Sequence, residues 1–126
     1  MDRNDGGGVA GAHAELAFDR DGRILALRTT NIANIGSHTV SFVPIARGPT
    51  VGNGVYRVPA MHVLTKVVCT NTLPVASYRG AGRPESMYVI ERLLDEAAVA
   101  LGIDRVELRR RNIIPRDAMP CTNPVG

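Results

Sequence analysis

The chain has few of the residues from which a large hydrophobic core is built. Its 126 residues include no Trp, two Phe and three Tyr, against thirteen Gly and eight Pro. Because glycine and proline interrupt regular elements, much of the chain is expected to form turns and loops. No apolar run reaches the roughly 18 residues that a transmembrane helix needs, and the amino terminus does not resemble a signal peptide. These absences predict a protein without a transmembrane segment, which we expect in the cytoplasm.

Cysteine and lysine are also scarce. Cys69 and Cys121 lie far apart and form no CxxC motif, which indicates reduced thiols rather than a disulfide framework or a zinc site. Lys66 is the one lysine among fifteen basic residues. The arginines favour bidentate contact with phosphate or carboxylate, although codon usage in a GC-rich genome would produce the same bias. We also expect no metal cluster, since unrelated spacings separate the three histidines, His13, His38 and His62.

The distribution of apolar residues predicts an α+β protein. A β-hairpin is expected with strands at residues 14–18 and 24–29 around an Asp-Gly turn at residues 21–22. Successive side chains of residues 61–70 fall on two opposite faces, a pattern that predicts a further strand. Residues 37–59 contain three Pro and three Gly, so a loop laid over another surface is expected there.

Two helices are predicted in the second half of the chain. Residues 85–101 have apolar positions at helical spacing, with Tyr88 the first of them, and Gly102 is placed to end that helix. Asp104, followed by Glu107, predicts a capping box at the start of a second helix, whose last turn contains three arginines at residues 109–111. Without interleaved aromatic residues, these arginines indicate a solvated or anchoring face and no nucleic-acid partner. Residues 1–12 are glycine-rich without an apolar period and are expected to be disordered.

A glycine turn at the start of the longer helix is the strongest candidate site. Residues 77–85 read Ser-Tyr-Arg-Gly-Ala-Gly-Arg-Pro-Glu. Gly80 and Gly82 permit positive φ and a close approach of backbone to a ligand, and the following proline suits a first helical turn. Unpaired N–H groups at a helix start stabilise anionic oxygen atoms, and Arg79 and Arg83 add positive charge. The expected ligand is anionic, phosphate-bearing or metal-bound.

Plainer interpretations of this turn stay open. The glycines fit an ordinary connection between a strand and a helix, with both arginines solvated. Neither standard phosphate motif is complete, because a Walker loop needs Lys followed by Ser or Thr, and the dinucleotide fingerprint needs a glycine where this chain has Glu85. The chain is also consistent with a non-catalytic anion-binding or scaffolding protein, and with a truncated fragment that has no function of its own.

Three motifs follow one another in a single order: Thr-Asn-Thr-Leu-Pro-Val at 70–75, Tyr-Arg-Gly-Ala-Gly-Arg-Pro-Glu at 78–85, and Gly-Ile-Asp to Arg-Asn-Ile-Ile-Pro at 102–115. Together with residues 14–29 and 54–60 they resemble the molybdenum-binding large subunit of the xanthine dehydrogenase and aldehyde oxidase family. The resemblance is nearest to the bacterial carbon monoxide dehydrogenase large chains. It covers nearly the whole chain, so residues 1–126 are expected to be part of a larger molybdopterin-binding domain.

The resemblance implies a molybdenum hydroxylase that oxidises an aldehyde, an N-heterocycle or a related small substrate. Its cofactor would be a molybdenum molybdopterin, in the cytosine dinucleotide form usual for bacterial relatives. Electrons would leave through iron–sulfur clusters on a small subunit and FAD on a medium subunit. The remainder of the large subunit would be the direct neighbour of this chain. The cofactor would carry the chemistry, while the protein positions it.

The same resemblance assigns roles to individual residues. The expected cofactor-binding residues are Arg79, Gly80, Ala81, Gly82 and Arg83. The backbone of Arg79 and Gly80 would lie near the molybdenum, and Ala81 would face the substrate pocket. Relatives that oxidise carbon monoxide have a copper-holding cysteine at the position of Gly80, so that activity is not expected. The family's catalytic glutamate falls outside this sequence, so we expect no catalytic residue in these 126 residues and no turnover by the isolated chain.

Overall fold

The structure is a computed structural model that describes residues 9–125. It contains a three-stranded sheet with helices packed on one face. In chain order the elements are β1 (Val9–Phe18), β2 (Ile24–Asn34), α1 (Val43–Thr50), β3 (Ala60–Val68), α2 (Arg83–Leu101), α3 (Arg105–Asn112) and a short 3₁₀ turn (Arg116–Ala118). The expected α+β class is confirmed. Within residues 9–125, no helix combines the length and the apolar character that a bilayer crossing requires.

The sheet has β2 at its centre. Strand β1 pairs with β2 in antiparallel orientation, and β3 pairs with the other edge of β2 in parallel orientation. The register places Leu16 beside Leu27 and Leu27 beside Met61, so these side chains share the face that packs against the helices. The predicted hairpin is confirmed, with longer strands than expected. The predicted strand at residues 61–70 is observed as β3.

The amino-terminal segment is only partly described. Residues 9–12, the last part of the segment expected to be disordered, pair with residues 31–33 as the start of β1. Residues 1–8 lie outside the described residues. The backbone hydrogen bonds to β2 therefore extend the hairpin beyond the part whose alternation was visible in the sequence.

The loop expected over residues 37–59 is wrong in its middle, where α1 forms. Pro44 lies in the first turn of α1, where a missing N–H removes no helical hydrogen bond. Pro49 lies one residue before the end of the helix, so it affects the final turn alone. Proline density argued against a helix, but the positions of these two prolines are compatible with a short one.

The core lies between the sheet and helices α2 and α3. Ile90, Leu94 and Leu108 are its largest fully buried side chains, each at 0% exposure. They pack against apolar side chains of β2. The helical spacing of α2 predicted this face, but Tyr88 was expected to be part of it and is 71% exposed. The buried stripe runs through positions four residues apart, and Tyr88 lies to one side of it.

Both expected helix boundary signals are present. Gly102 follows α2 with a φ of +66°, the left-handed conformation that glycine adopts without a steric cost. The Asp104 carboxylate accepts hydrogen bonds from two backbone N–H groups of the first turn of α3, at 2.9 and 3.0 Å. Glu107 was expected to complete a reciprocal capping box. Its carboxylate instead accepts a hydrogen bond from Arg111 Nε at 2.9 Å.

The side chain of Asn112 joins two segments that are distant in sequence. Its Oδ1 accepts a hydrogen bond from Ile24 N at 2.7 Å, and its Nδ2 donates to Gly22 O at 2.7 Å and to Leu108 O at 2.9 Å. Its backbone carbonyl accepts from Arg57 N at 2.8 Å. Since Asn112 is only 4% exposed, these contacts replace its contacts with water. One residue thus holds the hairpin turn, the end of α3 and the segment before β3 together.

A polar network connects α3 to α2. Arg109 Nε and Nη2 lie 2.8 and 2.7 Å from Glu91 Oε2, and Nη2 lies 3.0 Å from Asp95 Oδ1. The Tyr56 hydroxyl donates a hydrogen bond to Glu91 Oε1 at 2.6 Å. Burial and this hydrogen bond to Glu91 raise the pKa of Tyr56 to about 12. One member of the arginine run therefore anchors two helices.

Replacing Asn112 by alanine should strongly destabilise the chain, because the backbone groups of Gly22 and Ile24 lose their partners. An unsatisfied buried group costs about 1–3 kcal/mol, so the free energy of unfolding should fall by roughly 2–5 kcal/mol. Urea unfolding followed by circular dichroism measures the loss. The control is Asn71→Ala at an exposed loop position, which should change stability by under about 0.5 kcal/mol. Equal losses in the two variants would contradict the assigned role of Asn112.

The Tyr56 hydroxyl should make stability depend on alkaline pH. Its folded-state pKa of about 12 exceeds the ordinary value of 10.0, so its contribution is complete below pH 10 and is lost as pH rises towards 12. A pKa unit corresponds to about 1.4 kcal/mol, so this loss should reach about 2–3 kcal/mol. We expect the difference in unfolding free energy between the natural chain and Tyr56→Phe to shrink over this range. A constant difference from pH 9 to 12 would refute the assignment.

Candidate cofactor-binding turn

Three successive residues before α2 have left-handed backbone conformations. Gly80, Ala81 and Gly82 have φ values of +101°, +45° and +89°. Ala81 N donates a hydrogen bond to Tyr78 O at 2.9 Å, and Arg83 N donates to Gly80 O at 3.1 Å. The five expected site residues therefore form one tight turn, and the positive φ values confirm the reason for expecting glycines in it.

Steric limits keep the turn in this form. A Cβ added to Gly80 would lie 3.0 Å from Pro84 Cδ, in addition to the cost of its positive φ. Ala81 adopts its left-handed conformation with a Cβ present, at a cost of roughly 1 kcal/mol. No sequence signal pointed to this strain, because alanine is not a residue that favours positive φ. The main chain in this turn is held by its surroundings in a shape that an isolated peptide would rarely adopt.

Helix α1 packs directly against the turn. Ser86 Oγ, in the first turn of α2, lies 2.8 Å from Gly48 O in α1 and 3.1 Å from Gly82 O. A Cβ added to Gly48 would lie 3.1 Å from Ser86 Oγ and 3.3 Å from Gly82 O. The small residue in α1 thus permits the close approach, and the serine hydroxyl fixes it. Sequence reasoning missed this contact because it placed a loop where α1 forms.

The turn presents positive electrostatic potential to the surface. The side chains of Arg79 and Arg83 are exposed, while Gly82 is buried. Arg83 Nη1 donates to Gly80 O at 3.3 Å, so this guanidinium folds back over the turn. None of the described residues accepts a hydrogen bond from the N–H of Gly80 or Gly82. These groups lie at the positive end of the nineteen-residue helix α2, where oxygen atoms with negative charge are stabilised.

The other candidate ligands, the histidines and cysteines, have exposed side chains. His13, His38 and His62 are exposed, as are the free thiols of Cys69 and Cys121. The described part of the chain contains no group of three or more His, Cys, Asp or Glu side chains that could hold a metal ion. The turn can therefore offer main-chain N–H groups and guanidinium groups, a donor set suited to anionic oxygen atoms rather than to direct metal coordination.

Comparison with known proteins identifies the family of this chain. Residues 7–113 match the family described as the molybdopterin cofactor-binding domain. The chain is 38% identical over 110 residues to the 6-hydroxypseudooxynicotine dehydrogenase complex subunit gamma of Paenarthrobacter nicotinovorans, which covers 86% of this chain and 14% of that protein. It is 35% identical over 118 residues to the carbon monoxide dehydrogenase large chain of Hydrogenophaga pseudoflava, covering 89% of this chain and 15% of that protein.

A solved structure shares the fold. Quinoline 2-oxidoreductase from Pseudomonas putida 86 superimposes with a TM-score of 0.85 at 38% sequence identity, over 91% of this chain and 15% of that one. The chain thus spans about one seventh of the length of these relatives. The family match over residues 7–113 shows that the chain belongs to the molybdopterin cofactor-binding domain family, within the molybdenum-binding subunits of the xanthine, aldehyde and carbon monoxide dehydrogenases.

Proposed function

We propose that residues 79–83 form part of the wall around the molybdenum–pterin cofactor of a molybdenum hydroxylase large subunit. The observation that carries this proposal is the strained turn, in which the N–H groups of Gly80 and Gly82 lie beside the exposed Arg79. This donor set fits the oxo and phosphate oxygen atoms of such a cofactor. When bound, the cofactor supplies the redox chemistry, and these residues position it and stabilise its negative charge.

The substrate is proposed to be an N-heterocycle or an aldehyde. Ala81 is half-buried at the tip of the turn, and its small side chain would leave room for a ring at the position assigned to the substrate pocket. Quinoline, named for one similar structure, is an N-heterocycle. Gly80 offers no thiol to hold copper, so carbon monoxide is not a proposed substrate. An N-heterocycle is therefore the first choice.

The remaining parts of the enzyme are also proposals. We place iron–sulfur clusters on a small subunit, FAD on a medium subunit, and the cytosine dinucleotide on the pterin. The other segments of the large subunit would supply the catalytic glutamate and most contacts to the cofactor. Strand β3 is compatible with such neighbours, because it lies at an edge of the sheet and its Leu64 and Val67 side chains are 43% and 44% exposed. The isolated chain is expected to bind no intact cofactor and to catalyse no turnover.

Metal analysis of the complete complex tests the proposal directly. The large subunit that contains this chain should be co-expressed with its partner subunits in a host that makes the pterin cofactor. We expect molybdenum in stoichiometric amount, and reduction of an artificial electron acceptor in the presence of quinoline or a small aldehyde. A correctly assembled complex without molybdenum would reject the proposal. Saturable phosphate binding by the isolated chain, without metal in the complex, would favour the anion-binding alternative.

Replacing Arg79 by alanine in that complex should weaken cofactor retention. A hydrogen bond to a charged group contributes about 1.5–3 kcal/mol, so cofactor affinity should fall by roughly tenfold or more. Arg79→Lys should recover part of the loss, because it keeps the charge without the planar fork. The matched control is Arg92→Ala, an exposed arginine on α2 that pairs with Glu96 at 3.2 Å. Equal molybdenum content in all three variants would contradict a role for Arg79 in cofactor binding.

A further inference from the structure

The two edges of the three-stranded sheet differ in regularity. Strand β1 forms one edge, and its register with β2 shifts between Val9 and Gly11 and again between Ala17 and Phe18. Strand β3 forms the other edge and pairs with β2 without a shift over all nine of its residues. Irregularities are typical of strands that end a sheet, because they disrupt the row of backbone groups that another strand would need. Strand β1 therefore has the form of a natural edge, and β3 does not.

The free edge of β3 has little chemical protection. Proteins protect an exposed edge with proline, with charged side chains or with a covering helix or loop. Strand β3 contains no proline or glycine, and Lys66 is its one residue with a permanent charge. Among residues 9–125, no backbone group bonds to β3 on the side away from β2. Every second residue of β3 therefore directs its N–H and C=O groups outwards without a backbone partner.

The end of β3 is open to solvent on both faces of the sheet. Lys66, Val67 and Val68 are three consecutive exposed residues, and successive side chains of a strand point to opposite faces. Ile32 of β2, which pairs with Lys66, is exposed as well. Parallel pairing, as between β2 and β3, is typical of strands that are covered on both faces. The apolar surface around β3 is therefore that of a strand inside a sheet.

Main-chain geometry limits what can occupy this edge. A row of outward N–H and C=O groups at strand spacing is satisfied by another extended segment, which adds one more strand to the sheet. A helix cannot do so, because its own backbone groups are bonded along its axis. The occupant must also place apolar side chains beside Leu64, Val67 and Val68, which are otherwise exposed. An extended, largely apolar segment meets both requirements.

We propose that β3 is an interior strand of a wider sheet, and that the strand beside it belongs to the remaining polypeptide of the large subunit. This inference rests on the proposed function, in which the chain is one part of such a subunit. The relatives are about seven times as long as this chain, so they contain ample polypeptide to supply that strand. The added strand would hold β3 in place, and the carboxyl end of β3 leads through residues 69–78 into the candidate turn.

Hydrogen–deuterium exchange of the complete complex, resolved to single amides by mass spectrometry, tests the proposal. We expect all amides of β3 to exchange slowly, within about tenfold of the amides of the central strand β2. Exchange at every second amide of β3 at the rate of an unstructured peptide would show a free edge and overturn the proposal. The measurement does not require the cofactor, so a complex without molybdenum would reject the proposed function without deciding this result.

The same exchange measurement on the monomeric large subunit, purified without its partners, identifies the source of the strand. Protection of β3 should persist there, because the added strand belongs to the same polypeptide. Loss of protection from β3 while β2 stays protected would assign the strand to another chain, either a partner subunit or a second copy. That result would also overturn the proposal.

Proline substitution gives a further measurement that depends on the backbone. Lys66 and Val67 are adjacent and exposed, so one of their N–H groups faces β2 and the other faces the free edge. A free edge tolerates proline where the N–H points away, whereas an interior strand tolerates neither substitution. We therefore expect both Lys66→Pro and Val67→Pro to lower the yield of assembled complex at least about tenfold.

The opposite edge supplies the matched control. Ala12 and His13 are adjacent and exposed on β1, so either Ala12→Pro or His13→Pro should keep a yield within about twofold of the natural protein. A yield this high for Lys66→Pro or Val67→Pro would show that β3 is a free edge as well, and would contradict the added strand.

Discussion

The buried side chain of Asn112 is the contact on which the arrangement of this chain depends. It is the point where the hairpin turn, the end of α3 and the segment before β3 meet, through hydrogen bonds at 2.7–2.9 Å. This contact sets the position of α3 against the sheet, and the Arg109 network then connects α3 to α2. Because α2 begins at the glycine turn, the position of the candidate site depends on these contacts to the middle of α2, together with the packing of α1 against the turn.

Features that depend on neighbouring residues could be predicted from the sequence. The Asp-Gly hairpin, the end of α2 at Gly102 and the Asp104 cap each arise from local backbone preferences, and all three are observed. Helix α1 could not be predicted in the same way, because its two prolines suggested a loop and its packing against α2 is a tertiary contact. The role of Asn112 could not be predicted either, since Gly22 and Ile24, which it connects to α3, lie 90 and 88 positions away.

In the candidate site too, local features could be predicted from the sequence and tertiary contacts could not. The identity of the five turn residues came from a local motif and a family resemblance, and Gly80 and Gly82 have the conformations expected of them. The contact between Ser86 and Gly48 arises only when α1 packs against the turn, and the positive φ of Ala81 has no local sequence signal. The sequence spans about one seventh of the length of its relatives, so under the proposed function most of the surroundings of the cofactor would come from other polypeptide.

The proposed role of the turn is to bring main-chain N–H groups and a guanidinium group against the molybdenum–pterin unit. The decisive measurement is a structure of the complete large subunit with its cofactor bound. We expect the backbone of residues 79–82 to line the cofactor cavity, with Ala81 facing the substrate side. A turn that faces bulk solvent, remote from the molybdenum, would contradict this role.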